Sequence, residues 1–230
     1  MKKTTFFTLL TLFVLIPLTL FLGSCLPGRW YYFTSTLIII EVLIPFFLAF
    51  ESRRPQASEL VLLAVLCALA VASRAVMPLP NFKPIFAIIM IAGMAFGAQA
   101  GFLVGAVSAF ASNFILGGQG PWTPWQMLAF GVAGLLAGAC RGWLPQRPWA
   151  LAIFGFVTML TVVGILLDCC TIFTALTTIK WSSVLLVLTL GLKTNLSHGI
   201  ATAVTLLLFA GPLLEKLDRV KLKYGLIGSE

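Results

Sequence analysis

The sequence predicts an all-α, polytopic integral membrane protein in which a six-helix core follows two extra N-terminal transmembrane helices and both termini are cytoplasmic. Of the 230 residues, 60% are hydrophobic and only 10% are charged, against about 25% charged in an ordinary soluble domain. A membrane-spanning helix uses about 20 apolar residues, so this length accommodates about eight spans with short connections. The composition excludes a soluble catalytic domain, since the polar tail at residues 215–230 is too short to form one.

Apolar runs, separated by polar or proline-containing breaks, define the elements in order. The run at residues 181–191 is either a helix across the outer mouth or the beginning of a long last helix, because periodicity does not separate the two. The predicted spans cover about residues 5–22, 34–50, 59–76, 84–96, 101–116, 124–139, 149–173 and 195–214.

A polar linker at residues 51–56 divides the chain into an N-terminal extension (1–57), a membrane core (58–214) and a basic cytoplasmic tail (215–230). Two lysines, an apolar run and a Leu-Gly-Ser-Cys sequence ending at Cys25 resemble a lipoprotein-type signal. The alternative is an uncleaved first span, which we favour. In either case residue 26 begins on the outside.

The positions of lysine and arginine predict the orientation. With the N-terminus inside, ten cations fall on the inner side and three on the outer side, while Arg74 and Lys193 fall within spans. This positive-inside bias accounts for the net charge of +8 without a nucleic-acid partner. The inner cations are Lys2, Lys3, Arg53, Arg54, Arg141, Arg147, Lys216, Arg219, Lys221 and Lys223, and the outer ones are Arg29, Lys83 and Lys180.

Polar and aromatic side chains from several helices gather on the outer half of the predicted bundle. Polar side chains at bilayer depth are costly, so their convergence predicts a ligand pocket that opens to the outside. The candidate ligand-binding residues are Asn81, Phe82, Lys83, Asn113, Gln119, Trp122, Trp125, Gln126, Asp168, Lys193, Asn195 and His198.

Each of these residues also has a structural alternative. The tryptophans lie near span ends, where an aromatic belt is expected. Asp168 and Lys193 are candidates for a buried ion pair, His198 for a hydrogen-bonded packing residue, and Asn113 and Asn195 for cross-links between helices.

Small residues recur every four positions on four core spans, which places them on one helical face and permits close backbone approach. Internal packing suffices for the glycines, whereas the alanines form either a packing stripe or an external docking face. The alanines are Ala64, Ala68 and Ala72, and the glycines are Gly93, Gly97, Gly101, Gly105, Gly134 and Gly138.

The sequence lacks the motifs of an enzyme. It contains neither a phosphate-binding Gly-x-x-x-x-Gly-Lys-Ser/Thr loop nor a His-Glu-x-x-His zinc motif. Ser197 and His198 are adjacent, and adjacent side chains on a helix point about 100° apart. The five cysteines form no Cys-x-x-Cys pair and are typical of apolar packing residues. We therefore predict no catalytic residue and no metal site.

Several stretches between about residues 58 and 226 form distinctive motifs, of which Gly-Pro-Trp-Thr-Pro-Trp-Gln-Met at 120–127 is the most specific. The others are Asn-Phe-Lys-Pro at 81–84, Ile-Ala-Gly-Met-Ala-Phe-Gly at 91–97, Ala-Gly-Phe-Leu-Val-Gly-Ala at 100–106, Asn-Leu-Ser-His-Gly at 195–199 and the basic end of the chain from residue 215 to 225. Together these stretches resemble the substrate-binding S components of energy-coupling factor (ECF) vitamin transporters.

The resemblance implies a six-helix subunit of a bacterial cell membrane that captures a vitamin from outside, with no cofactor of its own. Ala64, Ala68 and Ala72 match the small-residue motif through which such proteins dock onto a transmembrane coupling subunit, which is driven by two ABC-type ATPases. The ligand is expected beneath the loop at residues 77–84. The two extra N-terminal spans depart from the family pattern.

Within the family the pattern looks most like S components assigned to cobalamin or its precursors. That resemblance implies that Trp122, Trp125 and Phe82 contact a corrin ring, and that nearby asparagines and glutamines bind its amides. Pantothenate or riboflavin is the alternative ligand, and an ion-coupled secondary carrier is the alternative class of transporter.

Overall fold

The computed structural model of the protein describes residues 30–76, 82–176 and 179–226, together with isolated positions between residues 10 and 22. All regular structure within these ranges is helical. Five of the described helices are long and apolar enough to cross a membrane, which confirms the predicted all-α membrane fold. The helices are α1 (Trp30–Ser52), α2 (Ala57–Val76), α3 (Ile85–Phe96), α4 (Ala98–Ile115), α5 (Trp122–Cys140), α6 (Pro148–Ala175) and α7 (Trp181–Lys223).

Helices α2 to α7 correspond to the six predicted core spans, and α1 contains the second span of the N-terminal extension. The first predicted span, residues 5–22, lies outside the described residues except for isolated positions. The apolar run at residues 181–191 is the beginning of α7, so the long-helix alternative is correct. With 43 residues, α7 is about 65 Å long, roughly twice the thickness of a hydrocarbon core.

Helix α3 is the centre of the bundle. Its sequence is apolar on all sides, and every residue from Ile85 to Ala95 is buried, as expected for a helix without a polar face. Gly97 joins α3 directly to α4 with a φ of +91°, a conformation that glycine adopts without the steric penalty of a side chain.

Glycines allow the backbones of α3, α4 and α5 to touch. A Cβ atom on Gly93 would lie 2.1 Å from the carbonyl oxygen of Gly134, and a Cβ atom on Gly134 would lie 2.2 Å from the carbonyl oxygen of Gly101. A Cβ atom on Gly105 would likewise lie 2.2 Å from the Phe130 carbonyl oxygen. The glycine spacing in the sequence therefore corresponds to internal helix packing.

Helix α1 packs against α4, α5 and α6. Phe46 of α1 stacks on Phe102 of α4 with ring centroids 4.1 Å apart. Ile39 and Leu43 join the same buried cluster, which includes Trp125 of α5. The second helix of the extension is thus an integral part of the packed structure.

The ends of α3, α5 and α7 meet at the side that the sequence assigns to the cytoplasm. Lys221 of α7 is buried, donates a hydrogen bond to the Ala95 carbonyl oxygen at 2.7 Å and pairs with Asp218 at 2.6 Å. Arg141 of α5 also donates to the Ala95 carbonyl oxygen, at 3.4 Å. Both cations therefore lie where the C-terminal dipole of α3 favours positive charge.

We expect Gly134→Ala to destabilise the protein by about 2 kcal/mol, because its methyl group would meet the rigid Gly101 backbone. Gly142→Ala is the matched control, since a Cβ atom there has no neighbour within 4 Å. Thermal unfolding of both variants in detergent measures the difference. Equal midpoints for the two variants would contradict the close-packing role of Gly134.

Candidate functional site

A cavity of about 190 Å³ lies between α2, α3, α5, α6 and α7, at the end of the bundle that the sequence assigns to the outside. Its polar lining consists of Arg74, Lys83, Gln126 and His198. Its apolar lining consists of Ile85, Phe86, Phe130 and Leu167. The site therefore joins two cations and two neutral polar groups to an aromatic surface.

Arg74 enters the cavity from the outer end of α2. Its Nη1 atom donates hydrogen bonds to Ser112 Oγ and to Asn113 Oδ1, the latter at 3.0 Å, on α4. Its guanidinium lies over the Phe130 ring, 5.6 Å from the centroid, within reach of a cation–π attraction. Neutral groups thus hold this cation in place.

Asn113 links Arg74 to the polar element between α4 and α5. Its amide nitrogen donates to Gln126 Oε1 at 2.8 Å. In the same element, Thr123 donates to Gln119 Oε1 at 2.8 Å and accepts from the Gly120 backbone N–H at 3.1 Å. The Gly-Pro-Trp-Thr-Pro-Trp-Gln sequence therefore forms a hydrogen-bonded turn into α5, and its contacts orient the Gln126 side chain at the cavity.

His198 approaches the cavity from α7. Its imidazole makes an edge contact with Phe86, with ring centroids 5.6 Å apart. Its Nδ1 atom is buried and has no hydrogen-bond partner among the described residues. A buried ring nitrogen without a partner is available to a bound molecule.

Asp168 and Asn195 form a second polar contact between α6 and α7. Asn195 donates to Asp168 Oδ2 at 2.9 Å, and both side chains are buried. A Cβ atom on Gly191 would lie 2.2 Å from Asp168 Oδ1, so glycine at this position makes room for the carboxylate. Asp168 thus pairs with an amide rather than with Lys193, whose side chain is exposed.

The structure brings part of the sequence-predicted set together. Lys83, Gln126 and His198 line the cavity, and Asn113 is hydrogen-bonded to Gln126. Phe82 is half-buried beside Lys83. Asn81 was predicted as a contact and lies outside the described residues.

Other predicted residues do not line the cavity. Trp125 is buried and stacks on Phe173 with centroids 5.7 Å apart, in the cluster that α1 covers. Trp122 and Gln119 are exposed, and they donate hydrogen bonds to the backbone carbonyls of Gly118 and of Phe110 in α4, respectively. Lys193 is exposed on α7. Their assignment to ligand binding remains a prediction.

Among the polar residues that line the cavity, Arg74 is the one that the sequence-based set omitted, and that set also lacks the apolar lining residues. One sequence feature could have identified it: Arg74 is a charged residue within an apolar span, at the end where that span leaves the predicted membrane. Because no acidic residue lies within ten positions of Arg74 in the sequence, its hydrogen-bond partners become evident only when α4 is placed beside α2.

The buried Asp168–Asn195 contact provides a test of the outer half of the bundle. Asn195→Leu removes the donor and leaves a buried carboxylate oxygen without its partner, so we expect a loss of about 1–3 kcal/mol of stability. The double variant Asp168→Leu/Asn195→Leu is expected to be more stable than the single variant, because both polar groups are then absent.

Chemical denaturation in detergent measures this coupling as a double-mutant cycle. Leu196→Ala, on the exposed side of the same helix turn, is the control and is expected to change stability by less than about 0.5 kcal/mol. Additive effects of the two substitutions would show that the contact does not stabilise the helix pair.

Comparison with protein families identifies one whose sequence model, described as "ECF-type riboflavin transporter, S component", matches residues 55–218. The match begins before α2, includes every cavity-lining residue and ends near the C-terminal end of α7. Helix α1 lies outside it. No curated protein and no solved structure matches the chain significantly.

Proposed function

The chain belongs to the family of S components of ECF-type riboflavin transporters, and from this membership we propose that it captures riboflavin or a chemically related vitamin. S components are the substrate-binding membrane subunits of these importers and are not enzymes themselves. The protein is accordingly a multi-pass membrane protein that works with an energising module. The main support for this proposal is the family match, which covers the helices that enclose the cavity.

The lining of the cavity supports a flat ligand with polar edges. Phe86 and Phe130 supply aromatic surface, while Gln126 and His198 supply hydrogen-bonding groups at its margin. Such a combination of apolar walls and a few polar groups is typical of small-molecule sites. An isoalloxazine ring has matching chemistry, with an aromatic face and an edge of amide-like donors and acceptors.

A cobalamin-type ligand, the first expectation from the sequence, is not favoured. The description of the matching family names riboflavin rather than cobalamin. The tryptophans assigned to the corrin ring, Trp122 and Trp125, are not among the lining residues.

For the energising module, we propose docking through the alanine stripe of α2. Ala64, Ala68 and Ala72 are all exposed, so a partner helix has access to them and close backbone approach is sterically permitted. Within the described residues, helix α1 packs mainly on α4, α5 and α6 rather than on this face of α2. The expected partners are a transmembrane coupling subunit and two ABC-type ATPases.

Titration of the detergent-purified protein with riboflavin and with cobalamin tests the ligand. We expect riboflavin to bind at least ten times more tightly. Phe130→Ala is expected to weaken binding at least tenfold because it removes an aromatic wall of the cavity, and fluorescence of the flavin measures both affinities.

Trp143→Ala is the control, because Trp143 is 92% exposed at the opposite end of the bundle. Trp122→Ala separates the two ligand hypotheses, since it is expected to leave riboflavin affinity unchanged. Tighter binding of cobalamin, together with a loss of affinity in Trp122→Ala, would refute the flavin proposal.

The docking proposal predicts that Ala68→Trp abolishes ATP-driven uptake while leaving vitamin binding intact, because the indole would hold the partner helix away from α2. Leu207→Trp is the matched control on an exposed position of α7. Proteoliposomes containing the complete transporter report uptake, and co-purification reports assembly. Normal assembly of the Ala68→Trp variant would count against docking through this stripe.

A further inference from the structure

We propose that Asn113 is a positioning residue that makes the Gln126 amide present its N–H groups to the vitamin, so that the site selects a ring whose facing edge carries hydrogen-bond acceptors. This inference rests on the proposed function and adds to it the chemical basis on which the ring is selected. It derives from the directions of the hydrogen bonds that meet at Asn113.

The direction of this network is fixed at one end by Arg74. A guanidinium group has donors only, so the Asn113 atom that lies 3.0 Å from Arg74 Nη1 is the amide oxygen. The amide nitrogen of Asn113 therefore faces the other way, toward Gln126 and Thr123 of α5. Because this nitrogen only donates, the Gln126 atom at 2.8 Å from it is the oxygen of the Gln126 amide.

The other end of the network is fixed by the backbone carbonyl of Phe110 on α4. A carbonyl oxygen only accepts, so Gln119 turns its NH₂ group to Phe110 at 2.8 Å and its oxygen to the Thr123 hydroxyl, also at 2.8 Å. That hydroxyl donates its single hydrogen to Gln119 and therefore acts as an acceptor toward the Asn113 nitrogen, at 3.4 Å. The two ends of the network thus assign the same orientation to Asn113 independently.

The amide nitrogen of Gln126 is the group that this network leaves available. Its amide oxygen accepts from Asn113, and within the described part of the chain its two N–H groups have no acceptor. Arg74 donates to Ser112 and Asn113 from Nη1 alone, so its Nε and Nη2 atoms also have no acceptor among those residues. Both Gln126 and Arg74 line the cavity. The two groups that Asn113 holds therefore offer free donors to a bound molecule.

An uncharged isoalloxazine ring has edges that match these donors. Its ring nitrogens N1 and N5 each lie beside a carbonyl oxygen, so each of these two edges presents a pair of adjacent acceptors. Because a carbonyl oxygen has two lone pairs and a ring nitrogen has one, we assign the oxygen to the two open nitrogens of Arg74 and the ring nitrogen to Gln126. A ring with C–H in place of that nitrogen would leave the Gln126 donor unpaired, and a site built to form a hydrogen bond discriminates strongly against such an analogue.

Analogues of riboflavin in which C–H replaces one ring nitrogen test the inference, because they keep the size and shape of the ring. The two analogues are 1-deazariboflavin and 5-deazariboflavin, which lack N1 and N5 respectively. We expect at least one of them to bind the detergent-purified wild-type protein at least ten times more weakly than riboflavin in calorimetry. The analogue that loses affinity identifies the edge of the ring that faces Gln126.

Two substitutions of unchanged size locate this preference. Gln126→Glu can still accept from Asn113 but has no N–H group to donate. Asn113→Asp has acceptors only, so the Gln126 amide turns its NH₂ group to the introduced carboxylate and its oxygen to the cavity. In each variant we expect the ratio of riboflavin affinity to analogue affinity to fall below twofold. A merely structural role would lower both affinities equally, and because the substitutions lie on different helices the test does not depend on one variant folding.

Gln146→Glu is the matched control, because Gln146 is exposed in the connection between α5 and α6 at the opposite end of the bundle, and it is expected to leave the ratio unchanged. Equal affinity of the wild-type protein for riboflavin and both analogues would overturn the inference while leaving a riboflavin-binding subunit. A ratio that persists in either Gln126→Glu or Asn113→Asp would also overturn it. Failure of riboflavin to bind the wild-type protein would overturn the proposed function together with the inference.

Discussion

The direct contact between the backbones of α3, α4 and α5 is the constraint on which the rest of the structure depends. Gly93, Gly101 and Gly134 stand so close that a methyl group on any of them would overlap backbone atoms of a neighbouring helix. In a bilayer, helices associate through such close packing and interhelical hydrogen bonds rather than through the hydrophobic effect. The contact holds α3, α4 and α5 together as one unit, and α2 and α7 pack against that unit.

The cavity lies at the outer end of this tightly packed unit because the glycine contacts stop before that end. Beyond Gly105 and Phe130, polar side chains replace glycines as the link between α4 and α5, and Asn113 makes the decisive contacts. It holds Arg74 of α2 through its oxygen and Gln126 of α5 through its nitrogen. The same residue that joins the helices therefore orients two polar groups of the candidate site.

The sequence predicts those features that depend on local pattern. Apolar length predicts the helices, glycine spacing predicts the contact of α3, α4 and α5, and polar residues within apolar runs predict Lys83, Gln126 and His198 at one end of the bundle. It does not predict which side of a helix a tryptophan faces when another helix covers it, as α1 covers Trp125. Arg74 was overlooked because its partners are 38 and 39 residues away on α4.

Helix α1 and the candidate docking face of α2 differ in the size of their side chains, and this difference has a physical consequence. Helix α1 buries aromatic residues against Phe102, where large side chains of α4 and α5 provide a complementary surface. The stripe at Ala64, Ala68 and Ala72 offers α1 no comparable apolar volume, but it permits the closest approach of another helix. Large side chains thus favour the packing of α1 on one side, while the small side chains of α2 leave room for the close approach of another helix.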